Sequence, residues 1–415
     1  MSATRTAPAP LWEFLAAPSE AGDPRRRVVA ATGTRVTFAD GVEALCATSG
    51  LWNVNFGYGN PVIAARVRPV LTGVHYASLF RSSHDLAIEA AAALLDATSS
   101  PGHRYSRVVF STSGSAAVDL AMKMARHWSL LGDEPARRTI VGLRDSYHGM
   151  TYGSFSLTGE PLGQEAYGVD RRHIRHVHDD DGSDLRLLAE RHGSTLAAIV
   201  LEPVAGTGAR PLGEPVLRAA LELRRRHGCL VIADEIATGY FRTGPFLASE
   251  RWPEPPDAVI LSKGLTNGLS AASAIVVNTR IAERFDAADA TLVHGETQAG
   301  CPVSAAAVLG TLEFIAARAP QSGVPALSGA LDDALLRLTS EHPGLTARGV
   351  GLFRYLGRPG GDVAVQPLVE RIRLAGAVVH PGPSGIQLLP QVVTDVGSIV
   401  TLRDAISVGL SEVGL

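Results

Sequence analysis

Asp234 and Lys263 sit where side chains can do chemistry. Each follows a short apolar run, Leu230–Ala233 in one case and Ala258–Leu261 in the other. Runs of this length predict buried strands of a parallel sheet. Side chains at the carboxyl ends of such strands face the crevice where ligands bind. An acid and an amine are therefore expected to reach one pocket from two strands. The amine is also rare here. Lysine and arginine together number 38, and only Lys123 and Lys263 are lysines. Arginine supplies surface charge but cannot lose its proton and act as an amine nucleophile. A lysine kept in so arginine-rich a chain points to use of its amine, with chance survival, as at Lys123, the plainer alternative.

Several further elements are needed to position these two. Val108–Phe110 reads as a strand, followed by Ser111-Thr112-Ser113-Gly114-Ser115 and a helix to about Leu131. Val118, Ala121, Met122, Ala125 and Trp128 fall on one helical face, and Asp119, Lys123, Arg126 and His127 on the other. A hydroxyl- and glycine-rich turn opening a helix is a ready anion site, because free N–H groups and the positive dipole end point at the ligand. An ordinary N-cap by Ser113 or Ser115 would look the same. Thr139–Leu143 and Ala197–Leu201 read as strands, the second ending at Glu202-Pro203. A helix from Pro215 to His227 is stopped by Gly228. Ala274–Val277 reads as one more strand, and a long helix is expected from about Thr311. Strands alternating with helices give an α/β fold with a mostly parallel sheet flanked by helices. The boundaries read as an amino-terminal arm with small strands (1–50), a large domain (51–310) and a smaller α+β domain (311–415). The arm's hairpin or meander is expected over 28–48. The Gly50–Pro61 stretch is a loop rich in glycine and aromatics, fit for a pocket wall or for packing, with a helix from about Pro61.

Composition excludes some functions. At 415 residues the chain has ample core, and a net charge of −3 leaves no footprint for nucleic acid or an anionic membrane. Arg25-Arg26-Arg27 and Arg224-Arg225-Arg226 read as solvated faces. Three scattered cysteines argue against a disulfide framework or a CxxC metal site. No run of about 18 apolar residues occurs, and a soluble cytoplasmic protein is expected. His176-Val177-His178-Asp179-Asp180-Asp181 lacks an ordered ligand spacing, so no metal is expected there.

A lysine amine, a buried carboxylate, an anion-binding helix start and an aromatic suit one cofactor, pyridoxal 5'-phosphate. The motifs strengthen this. Ser113-Gly114-Ser115-Ala116-Ala117-Val118-Asp119-Leu120-Ala121-Met122-Lys123, Asp145-Ser146-Tyr147-His148-Gly149, Asp234-Glu235-Ile236-Ala237-Thr238-Gly239 and Ser262-Lys263-Gly264 resemble, in order, those of the class III pyridoxal-phosphate aminotransferases. Within the class the chain is most similar to the adenosylmethionine-8-amino-7-oxononanoate (diaminopelargonate) aminotransferases. The resemblance implies the fold type I architecture of pyridoxal-phosphate transferases. It implies Lys263 as the Schiff-base lysine and proton carrier, and Asp234 as partner of the pyridine nitrogen. Gly114 and Ser115 would hold the phosphate and Tyr147 would cover the ring. Thr297 would reach the phosphate of the neighbouring subunit's cofactor, which makes the protein a homodimer with shared sites. Trp52, Tyr58 and His380 would line the substrate pocket.

One departure bears on substrate. In Val378-Val379-His380-Pro381 the family branch usually carries arginine before the proline, where it clamps a distal carboxylate. Histidine cannot form that bidentate pair. Either a nearby arginine such as Arg373 replaces it or the acceptor carries no carboxylate. The second option, together with Leu11-Trp12-Glu13-Phe14, is similar to the aminotransferases of daptide-type ribosomal peptide biosynthesis. Those act on a carbonyl at a peptide C-terminus. The expected activity is transfer of an amino group from a donor to a ketone or aldehyde. The alternatives are diaminopelargonate or omega-amino acid/amine transamination, a mutase, epimerase or decarboxylase on the same cofactor, and a non-catalytic scaffold.

Overall fold

A computed structural model describes residues 10–100, 104–178 and 181–415. Its centre is a seven-stranded sheet in the order Arg107–Ser111, Ser273–Val277, Ala258–Leu261, Leu230–Asp234, Leu196–Leu201, Thr139–Leu143, Ile174–Val177. The five strands from Ala258–Leu261 to Ile174–Val177 pair parallel, and Ser273–Val277 runs antiparallel to both its neighbours. Leu230–Asp234 and Leu196–Leu201 are buried along their whole lengths, because helices cover both sheet faces. Fully burying each Val, Leu or Ile there contributes about 1.5–3 kcal/mol. That requirement is why these strands read as unbroken apolar runs.

The helix Gly114–Leu131 begins where the edge strand Arg107–Ser111 ends, with Ser113 as its N-cap. The helix Glu214–His227 stops at Gly228, whose φ of +74° is left-handed. The expected late helix starts earlier than its apolar pattern implied. It spans Pro302–Arg318, so Thr311 is interior. Pro302 stands in the first helical turn, where its missing N–H costs nothing.

The amino-terminal meander, Val28–Thr32, Arg35–Phe38 and Glu43–Cys46, continues into Ala377–Val378 from the far end of the chain. A third sheet joins Thr346–Val350, Phe353–Gly357, Gly385–Leu388 and His380–Gly382. Amino-terminal and carboxyl-terminal segments thus share one sheet. No single helix among the described residues is long and apolar enough to cross a membrane.

Candidate active site

The parallel strands bring their acids to one end of the sheet. Asp234 pairs in register with Ile260, so Leu230–Asp234 ends beside Ala258–Leu261, and Lys263 follows two residues beyond. Asp234 and Lys263 line one cavity of about 160 Å³. Ser113, Gly114, Ser115, Tyr147 and Trp52 line the same cavity. Glu235, next to Asp234, points elsewhere. It accepts from Thr238 Oγ1 and from the N–H groups of Ala248 (3.1 Å) and Ser249 (2.6 Å), and holds a turn. Alternation at the strand end therefore separates a site acid from a structural one.

Asp234 has a buried partner. Its Oδ2 lies 2.7 Å from His148 Nδ1, and its Oδ1 accepts from the Ile236 N–H at 3.2 Å. Burial works against charge on His148, yet the bond and charge of Asp234 outweigh it and hold the imidazole above its ordinary value. His148 Nε2 is buried without a protein partner among the described residues, and the residue lines the cavity. Glu202 also lines it, accepting from the N–H groups of Tyr147 (3.0 Å) and Gly206 (2.8 Å). Burial, reinforced by the Asp234 charge, pushes Glu202 up to about 7.

Lys263 is half-buried, and desolvation lowers its amine to about 8 against the opposing pull of Asp234 and Glu202. Its Nζ stands 4.4 Å from the centroid of the Trp52 ring. Trp52 ends a left-handed turn in which Ser49, Gly50, Leu51 and Trp52 all have positive φ, between 46° and 68°. Three of these are not glycine, and such backbone costs roughly 1–2 kcal/mol per residue. Packing holds it. Ser49 Oγ donates to the Leu389 carbonyl at 2.5 Å, and Trp52 packs on Phe353 at 5.2 Å between ring centroids. Buried Arg242 anchors the adjoining Asn55 Oδ1 (2.5 Å) and the Pro390 carbonyl (2.7 Å).

A second chamber of about 510 Å³ shares Trp52, Tyr147 and Lys263 with the first. It adds Leu15, Leu51, Met150, Glu160, Leu162, His380 and Gln387. The His380 and Trp52 rings meet edge-on at 5.4 Å. Burial, with the nearby Lys263 charge, lowers His380 to about 4, so it is neutral at pH 7.

Two expected residues lie elsewhere. Tyr58 packs with Val36, Phe38 and Cys46 in the meander, its hydroxyl 3.5 Å from Cys46 Sγ, and lines neither chamber. Gly57, at a φ of +84°, precedes it in the loop. Thr297 is exposed and outside the cavity, its carbonyl accepting from Tyr76 OH at 3.2 Å. Arg373 does not stand in for the missing clamp either. It is held by Asp40 at 2.7 Å and Glu370 at 2.8 Å, far above its ordinary value. In the acidic stretch, His176 Nε2 bonds the Leu157 carbonyl at 2.8 Å, and Asp179 and Asp180 lie outside the described residues.

Sequence reasoning missed His148 and Glu202 as site residues. Glu202 carried the same signal as Asp234, an acid directly after a buried strand. His148 carried none beyond its place in the Tyr147-His148-Gly149 motif.

The chain matches the sequence model of the family "Aminotransferase class-III" over residues 17–408. It is a class III aminotransferase. An omega-aminotransferase of Caulobacter vibrioides is 31% identical over 82% of this chain and 82% of its own length. An adenosylmethionine-8-amino-7-oxononanoate aminotransferase of Nitratidesulfovibrio vulgaris is 33% identical, over 68% of this chain and 56% of that protein. Among solved structures, a pyridoxal-phosphate-bound amine transaminase from an uncultivated Pseudomonas species superposes with a TM-score of 0.90 at 26% identity, covering 98% of this chain and all of the other. The class III aminotransferase fold is thus the fold type I fold of pyridoxal-phosphate enzymes, and its cofactor is pyridoxal phosphate.

The residues present fit that group. A Cβ on Gly114 would stand 2.9 Å from Ile236 Cδ1, and one on Gly149, at a φ of +124°, would collide with the Ser115 side chain. The cradle therefore closes only around glycine. The unpartnered His148 Nε2 and the depressed Lys263 amine complete the match.

Proposed function

We propose that this aminotransferase moves an amino group from a donor to a ketone or aldehyde acceptor that carries no carboxylate. When bound, pyridoxal phosphate supplies an aldehyde that takes up amines and a ring that accepts electrons. Lys263 is the amine that holds it and the group that moves a proton at the reacting carbon. Asp234, fixed by His148, keeps the ring nitrogen protonated. Gly114 and Ser115, at a helix start, hold the phosphate. Tyr147 covers the ring, and Trp52 and His380 wall the substrate. The enzyme works as a cytoplasmic homodimer in which Thr297 of each subunit reaches the other's cofactor phosphate. Its exposure outside its own cavity supports that reading.

The single observation that carries the substrate class is the neutral His380 facing Lys263 and Trp52 where a clamp would stand. The residues described as lining the two chambers include the carboxylates Glu160 and Glu202 and no arginine. An anionic substrate would meet the Glu160 carboxylate there. The apolar wall of Leu15, Leu51, Met150 and Leu162 leaves room for a large acceptor. A modified ribosomal peptide with a C-terminal carbonyl, as in daptide-type biosynthesis, is the finer form of this proposal.

An acceptor panel tests it. The wild type is expected to prefer carboxylate-free ketones and aldehydes over matched keto acids, 8-amino-7-oxononanoate included. His380→Arg should raise kcat/KM for the keto acids about 10- to 100-fold, the worth of one charge-assisted pair. A wild-type preference for keto acids, unimproved by the arginine, contradicts the assignment.

A further inference from the structure

The chain's other lysine leads to a residue that the roles above leave unused. Lys123 lies on the helix Gly114–Leu131, which starts at the phosphate cradle. Its Nζ donates to the Val293 carbonyl at 2.8 Å and faces His294 Nδ1 at 3.3 Å. An ammonium can only donate, so Nδ1 accepts and the neutral ring carries its proton on Nε2. That nitrogen lies 3.2 Å from Glu296 Oε1. The same oxygen accepts from Ser111 Oγ. Glu296 Oε2 accepts from Thr112 Oγ1 and from the Thr112 N–H at 3.1 Å. One carboxylate thus takes four donors, and three of them belong to the two residues before Ser113.

The turn beyond is held at its next residue as well. Ser113 Oγ accepts from the Ala116 N–H at 3.2 Å, and its carbonyl accepts from Ser273 Oγ at 2.8 Å. Ser113, Gly114 and Ser115 line the cavity, whereas Thr112 and Glu296 do not. The acid therefore stands behind the cradle. Burial alone would raise its pKa. The bonds from Ser111, Thr112 and His294 outweigh burial and keep it below its ordinary value. A carboxylate near a phosphate repels it through Coulomb's law. Here its lone pairs are taken up, and the Lys123 charge behind His294 offsets the rest.

We propose that Glu296 is a positioning residue for the cofactor phosphate. It fixes Ser111 and Thr112 so that the free N–H groups of the helix start meet the phosphate in one geometry, and the Lys123–His294 relay ties it to the same helix. The proposal rests on Gly114 and Ser115 being the phosphate cradle. Its physical basis is preorganisation. A turn fixed before binding loses less conformational freedom when the anion arrives.

The test separates phosphate positioning from general support. The full-length protein, stripped of cofactor, is titrated with pyridoxal phosphate and, in parallel, with pyridoxal, which lacks the phosphate. Glu296→Ala is expected to weaken pyridoxal phosphate about 10- to 100-fold, the range for removing the charged acceptor of partly buried donors. Pyridoxal affinity should change less than about twofold. Glu296→Gln, which keeps one carbonyl acceptor, should fall between, and His294→Ala should show a smaller loss with the same selectivity for phosphate. If Glu296→Ala does not fold, these last two variants carry the test. Equal losses for both cofactors, with a lowered melting temperature of the stripped protein, would mean a structural brace only. Unchanged affinities for both would remove Glu296 from the site. Should wild-type protein bind the two cofactors equally, the cradle assignment itself falls.

Discussion

Replacing Lys263 by alanine is expected to abolish transamination, by at least about a thousandfold, because one side chain serves as both nucleophile and proton carrier. The purified variant should also lack the visible absorbance of lysine-bound cofactor. The environment of the amine explains why no other group can substitute. Lys263 is half-buried, and desolvation brings it down to about 8. A useful fraction is therefore free amine near neutral pH, which an exposed lysine near 10.4 would not provide. Arginine at 263 should be as inactive as alanine, since a guanidinium keeps its proton. Assays of both variants with saturating donor, alongside absorbance spectra, check this. Turnover by either above a hundredth of wild type would contradict the role.

Asp234→Asn is expected to lower kcat by about 10²–10³-fold, the usual loss when a preorganised electrostatic partner is removed from a reacting centre. The cofactor should remain bound, because the cradle and Lys263 are intact. Stability should fall too. Asp234 and His148 form a buried pair 2.7 Å apart, and breaking such a pair costs about 3–5 kcal/mol when the remaining charge stays buried. His148 escapes part of that cost by losing its proton. The pH dependence follows from its raised pKa. The folded state binds the His148 proton more tightly than the unfolded chain does. The pair's contribution is therefore full below the unfolded value, near 6.5, and is lost as pH rises through the folded one. The stability gap between wild type and Asp234→Asn, measured by urea unfolding, should narrow across that rise. A gap that stayed flat across that rise would mean that His148 is neutral in the folded enzyme.

The strand-end residues were legible because the sheet leaves them no choice. A strand buried on both faces must be apolar, so Asp234 and Lys263 stand out at the strand exits, while Glu202, with the same signal, was not read as a site residue. The Ser113–Ser115 turn was legible as a capped helix start and not by itself as a phosphate site, since both readings use the same free N–H groups. Other features were hidden. The left-handed turn that aims Trp52 at Lys263 uses one glycine in four residues, so its shape comes from packing against Phe353 and Leu389. Tyr58 shares a loop with Trp52 but faces the meander, a difference set by backbone direction and not by composition. The helix at Pro302 began before its apolar pattern became clear. Arg373 was a reasonable substitute clamp by proximity in sequence, yet two acids hold it elsewhere. The carboxylate of Glu296 sits 185 residues from Ser111, a pairing that no local pattern announces.

Because the chain contains two lysines, the central claim can be tested in one step. The purified holoenzyme is reduced with borohydride, which locks any lysine–cofactor bond, then digested and sequenced by mass spectrometry. A single cofactor adduct on Lys263 is the predicted result. An adduct on Lys123, or unmodified Lys263 in protein that still carries cofactor, would contradict it.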